Sequence, residues 1–181
     1  MRRRALLAAL PAATAGVAGC PFFARCSRPP PNVDRLEFDS RTADSSEWAN
    51  RNEAVLVTEP AHVERLLPPE NSPVDYELPE SDRTYIEDTD FGSAFLVAVV
   101  VGSSGNSSEP RVTHAVRDDD RIHLYVCIRR RGMTDDWAPY PRLVRLFREW
   151  LPSGIRVTFT DGRNGVTSFD RDGTGPEWPE E

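Results

Sequence analysis

The stretch "FLVAVVV", residues 95–101, is a run of seven apolar residues in a chain that is otherwise rich in charge. Gly92 and Gly102 stand on either side of it. A short run of this kind, rich in β-branched residues and bounded by turn formers, is typical of a strand that is buried on both faces. The sequence therefore predicts a central strand here, with the remaining elements arranged around it.

Two hairpins are predicted after this strand. The segments "RVTHAV" (111–116) and "RIHLYVCI" (121–128) flank Asp118-Asp119-Asp120. A three-residue loop would place three residues of the first segment opposite three of the second on one face: Val112, His114 and Val116 opposite Val126, Leu124 and Ile122. By the same parity, His114 and His123 should lie on opposite faces. The segment "IRVTFTDGRNGVTSF" (155–169) predicts the second hairpin, with its turn near Asp161-Gly162 and Asn164-Gly165.

The remaining segments complete a mainly β fold. "AVLVTEP" (54–60) predicts a strand that ends at Thr58, an N-cap for a short helix from Pro60 through Leu67. The proline-rich segment 68–82 indicates a loop. "PRLVRLFREWLP" (141–152) fits either a helical stripe or a strand, and we slightly favour the strand. We expect a mostly antiparallel sheet, as a small sandwich or open barrel, with one or two short helices.

The first twenty residues, "MRRRALLAALPAATAGVAGC", concern location. The apolar segment 5–18 is too short for a bilayer, which takes roughly 20 helical residues, and arginines before a short apolar run are typical of an export signal. Arg3-Arg4-Ala5-Leu6-Leu7 resembles the twin-arginine pattern, and Val17-Ala18-Gly19-Cys20 resembles a lipobox. That resemblance implies that Cys20 is lipidated and becomes the N-terminus after cleavage. A plain signal peptide with a chance cysteine is the alternative.

The composition excludes several mechanisms. All 22 basic residues are arginine against 29 acids, and loss of the three N-terminal arginines takes the net charge from −7 to −10. Without lysine there is no P-loop, no Schiff base and no Ser-x-x-Lys pair. An acidic surface also disfavours nucleic-acid binding.

The same composition carries a resemblance. The acidic, lysine-free chain with this N-terminus resembles twin-arginine-exported lipoproteins of salt-loving archaea, for which salt screens surface repulsion to about 3 Å at 1 M. A GC-rich genome that encodes arginine in place of lysine is a compatible explanation.

The chain divides into four predicted segments: a signal peptide at 1–19, a lipid-anchored tether at 20–46 with three prolines at 29–31, one mostly β domain at 47–170 and a disordered acidic tail at 171–181. From "DTDFGSAFLVAVVVG" to "APYPRLVRLF" the element order resembles small β domains of exported lipoproteins, including those that belong to protease complexes. This resemblance transfers no catalytic residue.

Few residues qualify as sites. His123 and Cys127 share a strand face but are about 13 Å apart, so we expect no metal site and no cofactor. The acids of 117–120 and 133–137 are solvated surface groups or, alternatively, calcium ligands. Asn106-Ser107-Ser108 is an N-glycosylation sequon. If lipid occupies Cys20, Cys26 and Cys127 remain, and outside the cell they are candidates for one disulfide.

Two classes of function follow. The first is a non-catalytic module, lipid-anchored on the outer face of the cytoplasmic membrane, that binds a partner protein or a small ligand. The second is an extracytoplasmic hydrolase that uses carboxylates or a metal, which a cleft containing Asp135, Asp136, His123 and Tyr125 would favour. We expect the first.

Overall fold

The computed structural model describes residues 26–44, 49, 51–68, 70, 76–104, 110–128, 137–147, 150–160 and 165–175. Their secondary structure is eight strands, one 3₁₀ helix and one α-helix: β1 (Phe38–Thr42), β2 (Glu53–Val57), the 3₁₀ helix (Pro60–Leu66), α1 (Glu80–Glu87), β3 (Ala94–Ser104), β4 (Arg111–Asp118), β5 (Arg121–Cys127), β6 (Trp137–Phe147), β7 (Gly154–Thr160) and β8 (Val166–Arg171). The first sheet has the order β1-β6-β3-β2 and the second β4-β5-β7-β8. The mainly β prediction with two short helices is confirmed, in its sandwich form.

The strand β3 lies inside the first sheet and is buried on both faces, as its apolar run predicts. Phe95, Val97 and Val99 point into the core between the two sheets. Leu96, Ala98 and Val100 belong to a second core on the opposite face. One continuous apolar strand therefore supplies both cores of the domain.

The second core lies beneath a helical layer. Leu66 of the 3₁₀ helix and Ile86 of α1 pack there with Tyr76 and Leu78 against the first sheet. The domain thus has three layers: helices, first sheet and second sheet. The helices cover only the first sheet, so the outer face of the second sheet remains available to other side chains.

The hairpin of β4 and β5 forms with a different turn from the predicted one. Asp118 pairs with Arg121, so the turn has two residues, Asp119 and Asp120, instead of three. Asp119 adopts φ 57°, a left-handed conformation that aspartate tolerates better than most residues and that short hairpin turns require. A β-bulge between Val112 and His114 then shifts the register once more.

The short helices differ in detail from the prediction. The N-cap of the 3₁₀ helix is Glu59 instead of Thr58, whose hydroxyl contacts His62 Nδ1 at 3.0 Å. The helix α1 begins within the segment predicted as a loop, directly after Pro79 and with acids in its first turn, where the helix dipole favours them. The strand interpretation of 141–151 is confirmed as far as Phe147.

The folded domain is longer at both ends than the predicted range 47–170. At the N-terminal end Arg35 forms a β-bridge with Val116, and β1 pairs with β6. At the C-terminal end, the Leu56 amide donates to the Gly173 carbonyl at 3.0 Å. Residues 34–42 and 171–175 therefore belong to the domain and not to the predicted tether and disordered tail.

Phe95 offers a direct test of the shared central strand. Its fully buried ring lies edge-on to Trp150, with centroids 6.5 Å apart. We expect Phe95→Ala to lower the free energy of unfolding by about 3–5 kcal/mol, because the cavity adds to the lost burial. Val166→Ala, at a side chain 59% exposed, is the control and should change it by less than about 0.5 kcal/mol in denaturant titrations. Similar losses for the two variants would contradict the assignment of Phe95 to the core.

Candidate functional site

The outer face of the second sheet collects most of the polar side chains with specific partners, and we call it the polar face. Strand pairing brings its members into two rows across the sheet: His114, Tyr125, Thr158 and Ser168 in one, and Val116, His123, Arg156 and Asp170 in the other. The opposite face of the same strands, with Ile122, Leu124 and Val157, lies in the core between the sheets. Strand alternation therefore separates the polar face cleanly from the core.

A hydrogen-bonded series crosses the polar face. His123 Nε2 lies 2.7 Å from Thr158 Oγ1, which lies 2.8 Å from Ser168 Oγ. The imidazole of His123 also stacks on Tyr125, with ring centroids 4.2 Å apart. Burial lowers the pKa of His123, the Arg156 cation lowers it further, and Asp118 and Asp170 oppose the shift. The imidazole is consequently neutral at neutral pH and available as a hydrogen-bonding group.

The charges of the polar face form a network around Arg156. Its Nε lies 2.9 Å from Asp170 and one terminal nitrogen 3.0 Å from Asp118. Arg121 approaches Asp170 as well, at 3.4 Å. The hydrogen bond to Asp170 and the charge of that carboxylate raise the pKa of Arg156. Both carboxylates therefore contact a permanent cation.

His114 lies on the same face as His123, so the parity prediction that separated the two histidines is wrong. The two-residue turn and the bulge place His114 opposite Tyr125, whose ring it meets edge-on at 6.3 Å. Burial lowers the pKa of His114, and the nearby Arg35 and Arg28 lower it further. Among the described residues, no three His, Cys, Asp or Glu side chains are grouped to hold a metal ion.

A disulfide joins Cys26 to Cys127 at one end of the polar face, with Cα atoms 5.2 Å apart. That spacing satisfies the geometry a disulfide requires. From Cys26 the chain runs to Arg35, which is bridged to Val116, and Pro29 on the way is buried. The proline-rich segment predicted as a free spacer is therefore attached to the domain from Cys26 onward.

Two cavities lie away from the polar face. One of ≈ 410 Å³ lies between the 3₁₀ helix and α1 and is lined by Val63, Arg83, Ile86, Glu87 and Phe91 among others. The second, a groove of ≈ 560 Å³, is bordered by Trp150, Phe147 and Arg117. The guanidinium of Arg117 covers the Trp150 ring at 4.7 Å.

Several candidates from the sequence lie outside the described residues: Arg3, Arg4, Cys20, Asn106, Asp135 and Asp136. The sequence missed Arg156, Thr158, Ser168 and Asp170 as partners of His123. Their one signal is the alternation of polar and apolar residues in "IRVTFT" and "VTSFDR". The pairing of β5 with β7, which brings them together, is parallel and spans about 30 residues of chain.

Comparison with known proteins gives no relative: no family model, curated protein or solved structure matches the chain. Within the described residues, no helix has both the length and the apolar character to cross a membrane. The role of the polar face is therefore argued from its own geometry.

The disulfide should contribute strongly to stability, because it closes a loop with a sequence separation of 101 residues. We expect the double variant Cys26→Ser/Cys127→Ser to lose about 4 to 5 kcal/mol of unfolding free energy on the chain-entropy estimate. Thiol labelling of the unreduced, mature parent protein should detect neither cysteine. Two reactive thiols in that protein, or a double variant as stable as the parent, would contradict the pairing.

The histidines of the polar face should make stability pH-dependent. Both have folded-state pKa values below the ordinary 6.5, so the unfolded chain binds more protons. Stability is then fully present above that value and is lost as the pH falls from about 7 towards 5. His123→Gln and His114→Gln should each flatten the decline and the double variant should flatten it most, as measured by denaturant titration at each pH. An unchanged slope in the double variant would contradict this assignment.

Proposed function

We propose that this protein is a lipid-anchored extracytoplasmic protein whose β domain is a non-catalytic binding module. The observation that carries the proposal is the Cys26–Cys127 disulfide. Disulfides persist in oxidising spaces outside the cytoplasm, and Cys26 follows the cysteine of the lipobox-like tetrad by only six residues. Location on the outer face of the cytoplasmic membrane, reached through Arg3-Arg4 and held through Cys20, accounts for both features.

The binding role is supported by the way the polar face satisfies its own groups. Thr158 lies between His123 and Ser168, so the imidazole does not contact the serine hydroxyl that it would have to activate as a base. Asp118 and Asp170 are both ion-paired to Arg156, which opposes use of either as a proton acceptor. A partner protein or a small ligand would meet a neutral imidazole, hydroxyls and fixed charges.

The anchor is tested at Cys20. We expect Cys20→Ser to abolish the lipid and to release the protein from washed membranes, or to leave it uncut, because a serine has no thiol to modify. Cys26→Ser is the control and should remain in the membrane fraction. Mass spectrometry of the N-terminal peptide and membrane fractionation report both outcomes. A Cys20→Ser protein that is still cut and membrane-bound would overturn the anchor.

The non-catalytic assignment has its own test on the same protein. Ester, peptide and glycoside substrates should not be turned over by the purified protein. Hydrolysis that disappears in both His123→Gln and Ser168→Ala, with folding intact, would instead favour the hydrolase alternative.

A further inference from the structure

We infer that the domain stands directly on the membrane, with one end of the second sheet against the lipid headgroups. This end, the proximal end, consists of Cys127, Thr160 and Val166, which are neighbours across β5, β7 and β8. The distal end consists of Arg121, Gly154 and the turn Asp119-Asp120. The inference rests on the proposed lipid at Cys20 and identifies the partner of the proximal end as the bilayer surface.

The length of chain between the lipid and the domain sets the distance. Six residue steps separate Cys20 from Cys26, and a fully extended chain spans at most about 3.6 Å per step, or about 20 Å in all. The disulfide then fixes Cys26 with its Cα 5.2 Å from that of Cys127. Without that bond, the first backbone pairing would be the bridge of Arg35 to Val116, which allows a reach of about 50 Å. The disulfide therefore shortens the tether by more than half.

The strands convert this short tether into an orientation. The proximal and distal ends of β5 are six residues apart, or about 20 Å at the rise of a strand. Cys127, at the proximal end, is the residue that the tether holds near the bilayer. The distal end can approach the lipid only if the domain lies down along its strands, which places its polar face or an edge against the membrane.

The chemistry of the two ends favours the upright arrangement. Val166 at the proximal end is a 59% exposed apolar side chain, which an interface tolerates. The distal end carries three consecutive acids, Asp118, Asp119 and Asp120, and hydrogen bonds from Ser153 to Asp120 hold the turn in place. Anionic headgroups repel carboxylates, so the acidic turn is best placed away from the bilayer.

Two exposed apolar residues give a matched pair of labelling sites. Val166 is 59% and Leu151 66% exposed, and Leu151 lies near the distal end because Ser153 binds the Asp120 carbonyl. Val166→Cys and Leu151→Cys in the full lipidated protein are labelled with the same fluorophore and placed in phosphatidylglycerol vesicles that carry a headgroup-linked nitroxide quencher. We expect several-fold stronger quenching at position 166. Equal quenching, or stronger quenching at position 151, would overturn the orientation.

A lengthened tether tests the cause without disturbing the fold. Fifteen Gly-Ser residues inserted between Phe22 and Phe23 add roughly 20 Å of flexible reach and leave the disulfide intact. We expect the difference between the two labels to shrink at least twofold, and an unchanged difference would contradict the tether argument. Protein that washes off the vesicles altogether would refute the proposed anchor, whereas bound protein with equal quenching would refute this inference alone.

Discussion

The two-sided burial of β3 is the constraint on which the other layers depend. A strand with apolar side chains on both faces must be covered twice, and the domain does so with different materials. The second sheet covers Phe95, Val97 and Val99, and the helices cover Leu96 and Val100. Because the helices are used on that side, the outer face of the second sheet has to be built from groups that satisfy one another.

Pairing of charges is how the protein meets that requirement. Arg156 lies between Asp118 and Asp170 on the polar face, and the buried Glu53 is bound by Arg171 beside the core. A buried carboxylate without a partner costs several kcal/mol, so the contact of Arg171 with Glu53 couples the end of β8 to the start of β2. In this acidic chain arginine provides each of these cations, and its planar guanidinium reaches two acceptors at once, as Arg156 does.

Local patterns predicted the elements, whereas the arrangement of the polar face depended on details that they do not encode. The apolar run of β3 and the turn residues between β4 and β5 were sufficient for a strand and a hairpin. The relative positions of His114 and His123, however, depend on one left-handed residue, Asp119, and one bulge near Thr113. Each shifts the strand register by one residue, and a shift of one residue exchanges the two faces. The parallel pairing of β5 with β7 is not local, so no short window contains it.

The N-terminal segment 26–42 connects these features, because it touches both sheets along the same side of the sandwich. Its bridge at Arg35 pairs with β4, an edge strand of the second sheet, and its strand β1 forms the edge of the first. Leu36, between them, packs against the core that the sheets share. This segment closes one open side of the sandwich and covers an otherwise unpaired strand edge. The disulfide fixes its start, so a pull on the lipid anchor is transmitted to both sheets rather than to a loose spacer.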